Sequence, residues 1–340
     1  MPISLKVREY VEKELPYQLL MQLYNDSRAS LKSVARNQNL SFHRISTALE
    51  ELESKYEIYY TLNLDEMALG FPEGRLMTIK FKKMPSVDFL KDLFKKDIYL
   101  QNAYLATGDF DLLLHVVGLS HREFQDWQFT LRVKLASYGP NSKFSTVDAY
   151  EIGFFPLKND LLEKNTTLDP TWIRVLKLLN ENSRIKFKDI VKKSGLSPRS
   201  VVYIMKQLEA KKIIRKYSAL IQNVDKKLTC AYGISVLFTD EHQNLFRGFA
   251  KELMKEDFHE STTDYAFFSV TSGGYDLFAI CSFKDGEVLS KRGPELIQNL
   301  WTQEEPKIDR AILTGLLVGK WPFHLENYSV YRQLLKEKEK

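Results

Sequence analysis

Two cysteines in 340 residues, Cys230 and Cys281, are too few for a disulfide framework, and the scarcity predicts a reducing, cytoplasmic compartment. Long hydrophobic runs are missing as well. Uncharged apolar stretches such as Ala311 to Gly319 fall far below the roughly 18–20 residues of a membrane span, and no signal-peptide core opens the chain, so no membrane association is expected. The six histidines (His43, His115, His121, His242, His259, His324) fall at no metal-ligand spacing, and there is neither a Walker loop nor a Gly-x-Ser-x-Gly elbow. No residue is set up as a nucleophile. The expectation is a protein that is not an enzyme and needs no cofactor or metal. An apolar content of 44% with charges of both signs excludes a disordered chain, and the length predicts at least two domains.

Acidic residues are scarce in one place only. Between Trp172 and Tyr217 thirteen Lys or Arg meet three acids, a net +10 in a chain whose total is +5, so the remainder sums to −5. A basic stretch is often only a solvated face. Here it coincides with a three-helix pattern that needs positive charge to sit on phosphates. Asp169-Pro170 opens the first helix, with Ile173, Leu176 and Leu179 as its apolar stripe. Phe187, Ile190 and Val191 mark the inner face of the second, and Gly195 is its stop. Ser197-Pro198 start the third, in which Val201, Ile204 or Met205, and Leu208 face inward while Arg199, Ser200, Tyr203, Lys206 and Gln207 line the opposite side. Ile213 to Tyr217 reads as a strand, either a wing or a link to a sheet.

The same layout occurs 156 residues earlier. Asp26-Ser27-Arg28 aligns with Asn182-Ser183-Arg184 and Asn39-Leu40-Ser41 with Gly195-Leu196-Ser197, without a gap from Leu20/Leu176 to Ile58/Ile214. The earlier copy, Leu15 to Leu62, carries five basic and five acidic residues and is neutral. Each unit is followed by a βαββαβ pattern. In the second half the strands are expected near 231–238, 265–271, 275–282 and 307–317, with helices at 241–255 and 286–302. In the first half the strands are near 75–81, 99–106, 110–117 and 144–154, with helices at 87–95 and 122–136. The chain reads as a tandem duplication of the α+β class, with two winged helix-turn-helix domains (1–64 and 158–222) alternating with two ferredoxin-like βαββαβ domains (65–157 and 223–327), and a C-terminal helix at 328–340.

A helix-turn-helix followed by βαββαβ with a Gly-x-aromatic-Asp turn resembles the Lrp/AsnC family of transcription regulators. The residues that carry the likeness are Leu168-Asp169, Asn182-Ser183-Arg184, Gly195-Leu196-Ser197, Leu208-Glu209, Ile213-Ile214, Tyr217 and Gly273-Gly274-Tyr275-Asp276. Lys212 stands where the family places a glycine, and Asn39 replaces the turn glycine in the first copy, a mild change because Asn tolerates the left-handed region. The resemblance implies a regulator that binds double-stranded DNA; family members pair through their sheet domains, so two copies in one chain imply a built-in pseudo-dimer, and a homodimer through the sheet domains is expected as well.

On that reading the helix from Ser197 enters the major groove. Arg199 is the base-reading candidate, since a guanidinium donates two bonds to guanine O6 and N7. Lys188, Lys192, Lys193, Lys206, Arg215 and Lys216 would touch phosphates, and Ser197, Ser200 and Tyr203 complete the contact set. In the first copy Glu50, Glu51 and Glu53 outweigh Arg44, so that motif is expected to pack or to recruit transcription machinery, the alternative being weak contact through His43, Arg44, Ser46 and Thr47. The family implies an amino-acid-like effector near Gly108, Asp111, Gly273 and Asp276; against it, glycine and aspartate are ordinary hairpin residues. Two other functions remain open. One is a recruitment or architectural DNA-binding protein. The other rests on a resemblance to sirohaem decarboxylases, which are built from two such halves and lean on histidine and arginine around the hairpins. Here the hairpins read Thr107-Gly108-Asp109-Phe110 and Ser272-Gly273-Gly274-Tyr275, with His115 nearby.

Overall fold

The computed structural model describes residues 15, 18–20, 22–55, 57–71, 74–118, 120–152, 159–163, 168–222, 228–235, 263–283, 286–287, 289–291 and 307–319. The helices expected at 241–255 and 328–340, and most of that at 286–302, lie outside these residues. The elements run α1 (Leu31–Asn37), α2 (Phe42–Lys55), β1 (Glu57–Leu64), β2 (Gly74–Phe81), α3 (Val87–Lys95), β3 (Leu100–Gly108), β4 (Leu112–Val117), α4 (His121–Leu135) and β5 (Pro140–Ile152). They continue with α5 (Asn159–Glu163), α6 (Pro170–Glu181), α7 (Phe187–Ser194), α8 (Pro198–Ala210), β6 (Ile214–Gln222), β7 (Leu228–Ser235), β8 (Thr263–Gly273), β9 (Leu277–Phe283) and β10 (Lys307–Val318).

The sheet expectation needs correction. Eight strands close into one barrel in the order β10-β3-β4-β2-β5-β8-β9-β7, in place of two separate ferredoxin-like domains. The physical reason is the edge strand. An open four-stranded sheet leaves a row of unpaired N–H and C=O groups on each side. Here β5 of the first half pairs with β8 of the second, and β3 with β10, so both pairs of edges are consumed within one chain. The sheet edges are therefore not free to build the homodimer expected through them.

Alternation along the strands sorts two cores. Leu76, Tyr104, Leu113, Val147, Ala231, Phe278, Ile280 and Ala311 form a cluster drawn from both halves, which fills the barrel. Met77, Ile79, Phe81, Leu100, Leu112, Leu114 and Val116 point outward onto Leu90 and Phe94 of α3 and Phe124, Leu131 and Leu135 of α4. Ser86 caps α3, and Ser120 with Glu123 makes a full capping box on α4.

The helical units are joined by a second, two-stranded sheet in which β1 and β6 run antiparallel, Thr61 lying opposite Ser218. The segment from Ile214 thus links the two units through β1. Each core borrows from the other's strand. Ala219 and Leu220 of β6 pack with Leu19, Leu23, Val34, Ile45 and Leu49, while Leu62 and Leu64 of β1 pack with Val175, Leu176, Ile190, Val201 and Leu208. Reciprocal polar contacts seal the junction. The Ser27 and Ser183 hydroxyls lie 2.5 Å apart. Arg28 donates to Ser183 O at 2.7 Å, and Arg184 to Ser27 O at 3.0 Å. Arg28 covers the Tyr217 ring and Arg184 the Tyr60 ring, and these phenols donate to Glu209 and Glu53 respectively. Ser27 N donates to Tyr217 O and Ser183 N to Tyr60 O. These pairs show where the correspondence changes by one residue, beyond the end of the gapless alignment at Ile58/Ile214. Glu53 and Glu209 are 156 apart, but Tyr60 and Tyr217 are 157 apart, so one extra residue lies between Glu209 and Tyr217.

Candidate nucleic-acid interface

The second helical unit is built by strong local signals. Asp169 caps α6, accepting from Thr171 N at 2.7 Å, with Pro170 at the first helical position. Gly195 ends α7 at φ +70°, and Ser197 caps α8, accepting from Ser200 N at 3.2 Å. Val201, Ile204 and Leu208 are buried, as their spacing predicts, and Met205 is half-buried. Phe187, expected on the inner face of α7, is instead 38% exposed. It is the first residue of its helix, and Ile190 is the buried apolar residue of that helix.

The opposite face of α8 presents Arg199, Val202, Tyr203 and Lys206 to solvent. Residues 199, 202, 203 and 206 fall on one side of a helix because each step of three or four is close to one turn. Val202 was not among the sequence candidates. The signal that finds it is angular: it lies within about one turn of both Arg199 and Lys206, on the flank of their face and outside the buried stripe of Val201, Ile204 and Leu208.

Six of the thirteen cations of the basic stretch are engaged within the protein, Lys177 among them. Arg174 donates to Ser194 O, Arg184 to Ser27 O, and Lys211 lies over the Trp172 ring. Arg215 forms an ion pair with Asp65 at 2.8 Å, and Lys216 sits 3.5 Å from the centre of the Tyr24 ring. Burial pushes the Asp65 carboxyl up, but hydrogen bonds from Ala68 N and the Arg215 guanidinium outweigh it and hold the group below its usual value. Arg215 and Lys216, expected on phosphates, are thus occupied within the junction. Ser197 and Ser200 are likewise engaged with each other at the cap, their hydroxyls 2.9 Å apart. By contrast Lys188, Lys192, Lys193, Arg199 and Lys206 are exposed, and none has a partner among the described residues. Lys186 and Lys212, which flank α7 and α8, are exposed and unpartnered in the same way. Lys212 has φ +57°, the left-handed conformation that explains why a glycine suits this place. Asn39 in the first unit has φ +52° for the same reason.

The first unit presents a different surface. At the positions 156 before Arg199, Val202, Tyr203 and Lys206 stand His43, Ser46, Thr47 and Glu50, and the Ser46 hydroxyl donates to Glu50. Glu50, Glu51 and Glu53 are exposed along α2, while Arg44 is half-buried.

The turns proposed for an effector serve the barrel seams. Gly108 has φ +148°, and a Cβ there would lie 2.4 Å from Arg310 O and 2.8 Å from Ala311 Cα. Asp109 N donates to Arg310 O, and Arg310 N donates back to the Asp109 carboxylate, both at 2.8 Å. Gly273 (φ +118°) approaches Phe144 O in the same manner, and Gly274 N donates to that oxygen at 2.7 Å. Asp111 accepts from Lys80 Nζ and Phe81 N, and the Asp276 backbone bonds to Ile234 O and Thr271 N. Gly108 and Gly273 thus serve different seams, β3–β10 and β5–β8, while Asp111 and Asp276 bond within their own halves.

Inside the barrel, Tyr275 OH donates to Asp309 and shares a hydrogen bond with Thr78, and Lys143 pairs with the same Asp309 carboxylate. His115 is fully buried in the wall, with Asn102 Nδ2 3.3 Å from its Nδ1; burial lowers its pKa to about 3, so the ring is neutral at ordinary pH. Cys230 and Cys281 face each other across β7 and β9 as free thiols, and burial pushes Cys230 up to about 11. Among the described residues no group of three or more His, Cys, Asp or Glu could hold a metal ion, and no helix is long and apolar enough to cross a membrane.

Residues 168–215 match the family described as winged helix-turn-helix DNA-binding. No curated protein sequence matches the chain. Among solved structures, the sirohaem decarboxylase NirDL is similar over 96% of this chain and 100% of its own length, with 12% identity and a TM-score of 0.60. The same enzyme in co-complex with an iron-uroporphyrin III analogue is similar over 94% and 98%, with 13% identity and a TM-score of 0.58. An AsnC family transcriptional regulator from Agrobacterium tumefaciens is similar over 47% of this chain and 98% of its own, with 20% identity and a TM-score of 0.38. The expectation of a chain that is not an enzyme is corrected here, because the architecture that spans it from end to end is shared with a decarboxylase. The absence of a catalytic motif could not reveal that, since motifs record chemistry and not arrangement.

Proposed function

We propose that this chain is a DNA-binding transcription regulator that grips the duplex through its second helical unit. One observation carries the reading: seven exposed cations without partners among the described residues, all on or beside α7 and α8, within the segment that matches a DNA-binding family. Arg174, Arg184, Lys211, Arg215 and Lys216 are by contrast spent on carbonyls, a carboxylate and rings. In this reading α8 lies in the major groove, Arg199 pairs with a guanine, and Lys188, Lys192, Lys193 and Lys206 neutralise phosphates. Tyr203 packs on the sugar-phosphate edge. The acidic α2 is repelled from the backbone, so a second reader comes from a second chain, with the two half-sites about one DNA turn or a multiple apart. The sheet edges being closed, that homodimer forms through another face.

The test is the salt dependence of duplex binding. Four phosphate contacts per chain give a slope of log K against log salt of about −3.6. Lys206→Ala makes the slope shallower by about 0.9, whereas Arg199→Ala lowers sequence preference more than slope. Duplex binding that is absent at low salt overturns the reading.

The full-length likeness to NirDL favours a second reading, an enzyme acting on an iron tetrapyrrole. Of the three histidines among the described residues, His115 alone lies in the barrel, and it is neutral and enclosed. Titration with iron uroporphyrin or sirohaem separates the readings, a stoichiometric absorbance shift with release of carbon dioxide supporting the enzyme.

A further inference from the structure

We infer that Val202 is a specificity-determining residue that reads a thymine methyl group beside the guanine read by Arg199; the inference rests on the DNA-binding reading. Val202 is 42% exposed on a helix face whose other solvent-facing residues near it are Arg199, Tyr203 and Lys206. An exposed valine is common in itself. This one is distinguished by place. It sits three residues after Arg199 and four before Lys206, between them along the axis of α8 and on the flank of the face they share. When the cations draw that face onto the polyanion, the valine is carried into the groove with them. Its two methyl groups cannot hydrogen-bond a base edge, and the one apolar feature of the major-groove edge is the thymine C5-methyl. Opposite any other base the valine would strip water from a polar edge without replacing the bond.

The geometry also fixes the distance to the guanine. Three residues along a helix advance about 4.5 Å, and successive base pairs are about 3.4 Å apart. The thymine therefore lies one or two steps from the guanine. The first unit makes the opposite choice: Ser46 stands at the corresponding place and bonds to Glu50.

The experiment uses the full-length protein to select sites from a random duplex library, then replaces each thymine of the selected site by deoxyuridine, which lacks only the methyl. The expected outcome is a thymine within two steps of a guanine, where deoxyuridine weakens binding about fourfold, as expected for one buried methyl. Val202→Ala should weaken binding to the thymine duplex by a similar factor and remove the penalty for deoxyuridine. A deoxyuridine penalty that is absent everywhere, or that persists undiminished in Val202→Ala, overturns the inference while leaving DNA binding intact. No selection of any duplex overturns the parent reading and this one with it.

Discussion

Alanine at Gly108 should open the barrel, and alanine at Gly195 should hardly be felt, although both glycines have positive φ. At Gly195 nothing lies within 4 Å of the added Cβ. The cost is left-handed strain alone, about 1 kcal/mol. At Gly108 the Cβ would meet Arg310 O at 2.4 Å and Ala311 Cα at 2.8 Å, both backbone atoms that no rotamer change can move. The β3–β10 seam must therefore shift. Overpacking costs about 1–3 kcal/mol, and weakening the two bonds between Asp109 and Arg310 about 1 kcal/mol each. With backbone strain of at least about 1 kcal/mol, the total is about 4–6 kcal/mol. Urea unfolding of the two variants measures the difference through the midpoint at unchanged slope. If Gly108→Ala is as stable as Gly195→Ala, the seam does not hold the barrel closed and the turn is free to serve a ligand. A large loss that a free amino acid reverses would refute the structural account in the same way.

Lys212→Gly should stabilise the protein by about 0.5–1 kcal/mol, because it relieves a left-handed lysine at a modest cost in chain entropy; thermal unfolding reads the gain, and a loss would mean that the lysine side chain supports the fold. Ser27→Ala and Ser183→Ala should each cost about 1–2 kcal/mol, the second by leaving the buried Ser27 hydroxyl without its Ser183 partner and the first by leaving Ser183 only its longer bond to Ser218 O, while the double variant costs clearly less than their sum; strict additivity in urea unfolding would show that the 2.5 Å contact is idle. His115 has a folded pKa of about 3 against an ordinary 6.5, so below pH 6.5 the unfolded chain takes up a proton that the folded one excludes. Its contribution to stability is full above pH 6.5 and falls by about 1.4 kcal/mol per pH unit toward pH 3. His115→Gln should flatten that part of the stability profile, and an unchanged acid slope would place the titration elsewhere, for instance on Asp65, whose lowered pKa also makes stability fall with acid.

Local chemistry was legible wherever one short segment decides the outcome. Asp169-Pro170, Gly195 and Ser197-Pro198 punctuate α6, α7 and α8 at the places their backbone preferences require, and Val201, Ile204 and Leu208 turn inward because spacing alone gives them a common face. The positive charge beside α7 and α8 was countable as well. What a single segment cannot state is which surface a neighbour will take. Arg215 and Lys216 look like the other cations of their stretch, yet Asp65 lies 150 residues away in sequence and Tyr24 arrives from the other helical unit. Val202 is one valine among several until the buried stripe of α8 shows that it faces out. Gly108 and Gly273 carry the same turn signal as any hairpin glycine; only the approach of β10 and β5 makes them seam residues. The eight-stranded closure has the same origin. Each half specifies four strands and their alternation, but pairing of β5 with β8 and β3 with β10 depends on edges meeting at long range, where hydrogen-bond geometry and excluded volume act between parts of the chain that no local pattern connects.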